Sequence, residues 1–205
     1  MHTDLIRYYD LLIDEGNDPV HDPAPLRAHM DKWDGPVFLE MLKLDPTKTV
    51  LEIGVGTGRL AVRTAPLCAE FCGIDISPKT IRRAAENLAH LGNVHLLPGD
   101  FLELSIDRTF DVIYSSLTFL HIQDKRKAIE KAAALLNPGG RFVLSIDKNQ
   151  SPIIHMGTRK IAVFPDTPEA IRACLTHAGL ELTTQTETDF AHLFSASHLF
   201  SESQK

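Results

Sequence analysis

Cysteine is scarce. The 205 residues hold three, at 68, 72 and 174. The number is odd, and Cys68 and Cys72 do not form a C-x-x-C pair, so neither a disulfide framework nor a zinc site is expected. They read as packed thiols in a reducing compartment. No apolar run approaches the roughly 20 residues that a membrane span requires. The opening MHTDLIRYYD lacks the apolar centre of a signal peptide, so a cytoplasmic location without a membrane partner is expected. Positive charge is also short: 21 Lys and Arg face 27 Asp and Glu, a formal net charge of −6. A broad nucleic-acid footprint needs a basic balance, so no nucleic-acid partner is expected. His155, His177, His192 and His198 share no ligand spacing on one helix, and no metal site is expected.

What is present is an ordinary soluble composition, 43% hydrophobic and 23% charged. The length suits one α/β domain with a small appendage. The chain is organised around Val50-Leu-Glu-Ile-Gly-Val-Gly-Thr-Gly-Arg-Leu60. Val50, Leu51 and Ile53 suit a strand covered on both faces. Gly54, Gly56 and Gly58 free the turn for positive φ and for close approach of a ligand to the main chain. Arg59 to Ala65 continues as helix until Pro66. A strand, a glycine turn and a helix make a nucleotide-type site at the edge of a parallel sheet.

Residues 1 to about 47 read as a helical cap, with helices near 5–13, 26–33 and 37–44 separated by proline and glycine breaks. From residue 48 to about 200 strands and helices alternate. Strands are expected at 49–53, 70–74, 94–97, 110–115 and 141–146, with helices at 77–89 and 123–136 between them. Asn137-Pro-Gly-Gly140 reads as a stop and turn, and 147–166 as an irregular loop. A helix over 167–178 precedes an antiparallel hairpin, 181–190 and 192–200. The tail after Ser201 reads as frayed. The whole is expected to be one domain, 1–205.

The dinucleotide fingerprint G-x-G-x-x-G needs a small residue at 59, where this chain has Arg59. An NAD-dependent oxidoreductase is therefore an alternative, not the first reading. Five ordered segments lie at successive strand ends: LEIGVGTG at 51–58, GIDIS at 73–77, GDF at 99–101, FDVIYS at 110–115 and LNPGGRF at 136–142. In these the sequence resembles the class I S-adenosylmethionine-dependent methyltransferases, over roughly residues 48 to 200, and within them the small-molecule, ubiquinone/menaquinone-type branch. The resemblance implies a Rossmann-like doubly wound sheet of seven strands, order 3-2-1-4-5-7-6, with strand 7 antiparallel. It implies S-adenosyl-L-methionine as methyl donor, with S-adenosyl-L-homocysteine as its product.

Residue by residue, the resemblance gives Asp75 the ribose hydroxyls, with Ile76 beside it. Asp100 takes the adenine amino group, and Phe101 packs by the ring. Gly54, Gly56 and Gly58 meet the methionine end. Glu52 either holds the ammonium, directly or through water, or braces the loop. Ser115 gives a backbone contact to that ammonium. Ser116, Leu117 and Phe119 line the route to the acceptor, and Tyr8, Tyr9 and Trp33 of the cap close over it. His121 is either a general base or a brace of its loop. The acidic balance and the short 147–166 insert favour a small-molecule acceptor. Ser115-Ser-Leu-Thr118, in place of the asparagine-proline-proline-tyrosine type of motif, weighs against N6-adenine or glutamine methylation. A catalytically silent cofactor-binding regulator is a second alternative. Oligomeric state is open.

Overall fold

Five apolar stretches become the parallel strands β1 Thr49–Ile53, β2 Glu70–Asp75, β3 Val94–Pro98, β4 Phe110–Ser115 and β5 Leu136–Asp147. A computed structural model describes residues 2–156 and 159–198. After β5 come β6 Ile153–Met156, β7 Arg159–Ala162, β8 Leu180–Glu187 and β9 Ala191–His198. The helices are α1 His2–Asp14, α2 Ala24–Asp34, α3 Pro36–Leu42, α4 Ala61–Thr64, α5 Pro78–Asn87, α6 Lys125–Ala134 and α7 Pro168–His177.

The main sheet has seven strands in the order β3-β2-β1-β4-β5-β9-β8. β9 runs antiparallel to both β5 and β8. This is the order implied by the resemblance, with β8 and β9 as its sixth and seventh strands. The central strands are apolar on both faces because helices cover both. Leu51 and Ile113 point into one core with α6 and α7. Val50 and Val112 point into the other, with Phe38 of α3 and Ala84 of α5. Cys68 and Cys72 are free thiols in these cores.

Three local expectations are corrected. Asn137-Pro-Gly-Gly140 is not a turn between elements: α6 ends at Ala134 and β5 already begins at Leu136, which pairs with Phe110. A register shift between Phe110 and Val112 absorbs the irregular residues. Pro66 does not halt the chain after one helix; it enters a 3-10 turn, Ala65–Leu67, where its missing N–H costs nothing. The 147–166 segment contains the β6–β7 hairpin, whose Ile161 joins Val163 and Tyr8 of α1 in a third apolar cluster. The proposed strand end at 199–200 and the tail lie outside the described residues.

The cap is docked chiefly through its acids. Ser77 Oγ, which caps α5 by accepting from Thr80 N–H (3.0 Å), donates to Asp10 (2.7 Å). Lys79 meets Asp14 at 2.6 Å, and Asn87 Nδ2 donates to Asp18 at 3.1 Å. The N-terminal end of α5 therefore fixes α1 above the carboxyl ends of the strands.

Candidate functional site

A cavity of about 370 Å³ opens at the carboxyl ends of β1 to β4, beneath α1 and α2. Ligand sites of doubly wound sheets lie at this edge. One wall is the glycine turn. Gly54 N–H donates to Ile74 O (2.8 Å) with φ +81°, and a Cβ there would overlap the Thr118 side chain. Gly56 has φ +57° and open space where a Cβ would stand. The two positions therefore differ. Gly54→Ala is expected to cost about 3–5 kcal/mol, from left-handed strain plus overlap. Gly56→Ala should cost only the strain, about 1–2 kcal/mol. Denaturant unfolding of the two variants checks this; equal losses would contradict it.

The acids of β2 and β3 stand beside that turn. Asp75 accepts from Gly56 N–H (3.0 Å) and Ser77 N–H (2.9 Å), so it braces the turn it faces. Burial raises its pKa, and the two N–H groups oppose this. A carboxylate has about four lone-pair sites, so two remain for a ligand. Asp100 accepts from Leu102 N–H at 2.8 Å. Phe101 is buried beneath the cavity floor, with Lys131 Nζ 5.2 Å from its ring centre.

Glu52 closes the inner end. It accepts from Tyr114 O–H (2.8 Å), which is within 2.9 Å of Thr64 Oγ1. Burial pushes its carboxyl up to about 8, against the Tyr114 hydrogen bond and the Arg59 charge. At neutral pH it is mostly protonated.

Tyr9 of α1 pairs with His121, which ends a 3-10 turn, Phe119–His121, and both line the cavity. Tyr9 O–H lies 2.7 Å from His121 Nε2. His121 Nδ1 is buried with no hydrogen-bond partner among the described residues. Burial first, then the nearby Lys125 charge, lowers the imidazole to about 4. Burial, with Asp75 adding to it, raises Tyr9. The pair thus sets a neutral imidazole against a neutral phenol. Leu117 also lines the cavity, in the left-handed region at φ 55°. Backbone strain of this kind gathers at ligand sites.

Residues 50–140 match a methyltransferase domain family. Over that stretch the chain is similar to class I S-adenosylmethionine-dependent methyltransferases, whose fold it shares. An uncharacterised methyltransferase of Geobacillus kaustophilus is 37% identical over 101 residues, 48% of this chain and 46% of that protein. Phosphoethanolamine N-methyltransferase 3 of Arabidopsis thaliana is 38% identical over 118 residues, 56% of this chain and 24% of that one. The chain thus spans less than half the length of these curated relatives. The fold of magnesium protoporphyrin IX methyltransferase from Synechocystis PCC 6803, solved with bound S-adenosylmethionine, superimposes with a TM-score of 0.74 at 17% identity, covering 97% of each chain.

The predicted Glu52, Gly54, Gly56, Asp75, Ile76, Asp100 and Phe101 all line the cavity. So do Tyr9, Ser116, Leu117 and His121. Five predicted residues lie elsewhere. Gly58, still in the turn with its N–H on Val55 O at 3.0 Å, does not line the cavity, and a Cβ there would meet Leu88. Ser115 follows the strand alternation inward and donates to Ile53 O at 2.8 Å. Tyr8, one helical step from Tyr9, turns to the β6–β7 hairpin instead. Trp33 stacks at 4.6 Å on Phe190, and Phe119 is core beside Phe142.

Sequence reasoning missed a buried knot at the site's edge. Asp34, the last residue of α2, is fully buried. It takes both terminal nitrogens of Arg59, one at 2.9 Å, and Ser116 Oγ at 2.5 Å. Asp34-Gly-Pro36 read only as a helix break. The available signal was Arg59 itself, a charge in an otherwise small and apolar loop that called for a buried acid.

Proposed function

We propose that the protein binds S-adenosylmethionine in this cavity and transfers its methyl group to a small-molecule acceptor, with Tyr9 and His121 receiving the acceptor's proton. The observation that carries this is one cavity lined both by Asp75, Asp100 and the open Gly54–Gly56 turn and by the hydrogen-bonded Tyr9–His121 pair. The donor set fits the cofactor. A carboxylate with spare lone pairs suits a ribose diol, a second acid beside an aromatic ring suits adenine, and the side-chain-free face of Gly56 suits the amino-acid end. When bound, the cofactor supplies a methyl group already activated on a sulfonium. The chain's own work is to align the acceptor, keep water out and hold a proton. Orientation alone can be worth roughly 7–11 kcal/mol.

The proton route follows from the Tyr9–His121 pair. Burial keeps the Tyr9 phenol protonated, so it can donate to His121 Nε2. As an acceptor O–H or N–H presses on the Tyr9 oxygen, the phenol proton passes to the imidazole and the acceptor's proton replaces it. The low basicity of His121 favours release of that proton to solvent once the methylated product has left.

Calorimetry with S-adenosylhomocysteine and with NADH tests the cofactor. The first is expected to bind and the second not; tight NADH binding without the first would overturn the reading. Screening phenols, amines, thiols and quinols for methylation tests the activity. No turnover by a protein that binds the cofactor would favour a silent regulator.

Glu52 provides a separate expectation. Its carboxyl is mostly protonated near neutrality. An ammonium placed against it favours the ionised form, so binding releases up to about one proton at pH 7. Titrations in buffers of different ionisation enthalpy measure that number, and Glu52→Gln should abolish it. Release undiminished in that variant would assign Glu52 to bracing alone.

A further inference from the structure

We infer that Arg59 binds the carboxylate of the cofactor's amino-acid end, and that Asp34 is the positioning residue that holds it in place. This rests on the cofactor reading above. Arg59 follows Gly58 directly and lines the cavity beside Glu52. Its guanidinium has five N–H donors in a fixed fork. One from each terminal nitrogen goes to Asp34. The remaining N–H groups suit a second carboxylate, which this planar cation takes better than a lysine would.

The pair is an unlikely device for stability alone. Asp34 has no exposed surface, and the Arg59 side chain keeps only 18% of its own. Taking both charges out of water offsets most of their attraction. Its location is what distinguishes it. Ser116 Oγ holds the same Asp34 oxygen, so one carboxylate joins the cap, the glycine turn and the end of β4. Asp34 is thereby fixed from two sides, and the guanidinium with it.

The amino-acid end of the cofactor carries both an ammonium and a carboxylate. Glu52 and Arg59 act on each other electrostatically and share the cavity wall next to Gly54 and Gly56. Glu52 receives the ammonium and Arg59 the carboxylate. Such a pair selects a zwitterion over either singly charged analogue.

Two ligands separate this from a structural role: S-adenosylhomocysteine and its decarboxylated analogue, the aminopropyl thioether of adenosine. By calorimetry, the intact protein should prefer the first by about tenfold or more, as a charge-assisted contact implies. Arg59→Gln should abolish the preference, read as the ratio of the two affinities, so that any change acting on the shared ammonium through Glu52 cancels. Asp34→Asn should reduce the preference in the same direction. Should Arg59→Gln fail to fold, the double variant Asp34→Asn/Arg59→Gln removes both buried charges and is read in the same way. Equal losses for both ligands, with the preference intact, would overturn the assignment. Failure of both ligands to bind the intact protein would overturn the cofactor reading and this inference with it.

Discussion

Asp75→Ala is expected to weaken S-adenosylhomocysteine binding about a hundredfold while leaving the free protein nearly as stable. The affinity loss has two parts. The carboxylate oxygens that would accept the ribose hydroxyls are removed, and hydrogen bonds to a charged group are worth about 1.5–3 kcal/mol each. The brace on the glycine turn, from Gly56 N–H at 3.0 Å, goes with them. Stability changes little because the cost of burying a carboxylate disappears together with its two N–H bonds. Asp75→Asn should fall between, since its amide nitrogen cannot accept where one oxygen did. Calorimetry and denaturant unfolding on the same samples give both numbers. Unchanged affinity in Asp75→Ala would remove the ribose assignment.

The second large effect belongs to the Tyr9–His121 pair. With a turned-over acceptor in hand, His121→Ala should lower kcat by about 10²–10⁴, the usual range for a positioned base. Tyr9→Phe, which removes only the hydroxyl, should lower it in the same direction. Cofactor affinity should stay nearly constant in both. The pH profile is the sharper test. The imidazole is held at about 4, so the wild-type rate should stay level through the ordinary histidine range near 6.5 and fall only toward about 4. The folded value lies below the unfolded one, so the unfolded chain binds more protons between them. Stability from this group is therefore present above about 6.5 and declines as pH falls to about 4. A shoulder near 6.5 in the rate, or a joint loss of affinity and turnover in His121→Ala, would assign the histidine to bracing its loop.

The parallel strands were legible as largely apolar runs ending near a glycine, an acid or a serine: Gly54, Asp75, Asp100, Ser115. Their order, and the cavity residues named at those ends, came from the family resemblance that the same segments carry. The cap was legible only as helices. Helical phase decides that Tyr9 rather than Tyr8 faces the cavity, and a ±1 uncertainty in phase exchanges them. Trp33 and Asp34 present the same problem at the end of α2. The Asp34–Arg59 contact joins residues 25 apart with no local pattern. The β6–β7 hairpin escaped because its strands have four residues each and carry His155, Arg159 and Lys160 among their few apolar positions. Asn137-Pro-Gly-Gly140 misled because its turn chemistry is genuine; long-range pairing of Leu136 with Phe110 overrides it.

The central claim is that one cavity holds the cofactor against the glycine turn and directs its sulfur toward Tyr9 and His121. A crystal structure of the protein with S-adenosylhomocysteine tests it most directly. The ribose hydroxyls should lie on Asp75, the adenine beside Phe101 and Asp100, and the sulfur on the side of the cavity facing Tyr9. A ligand bound outside this cavity, or bound within it with the sulfur turned away from Tyr9 and His121, would contradict the account.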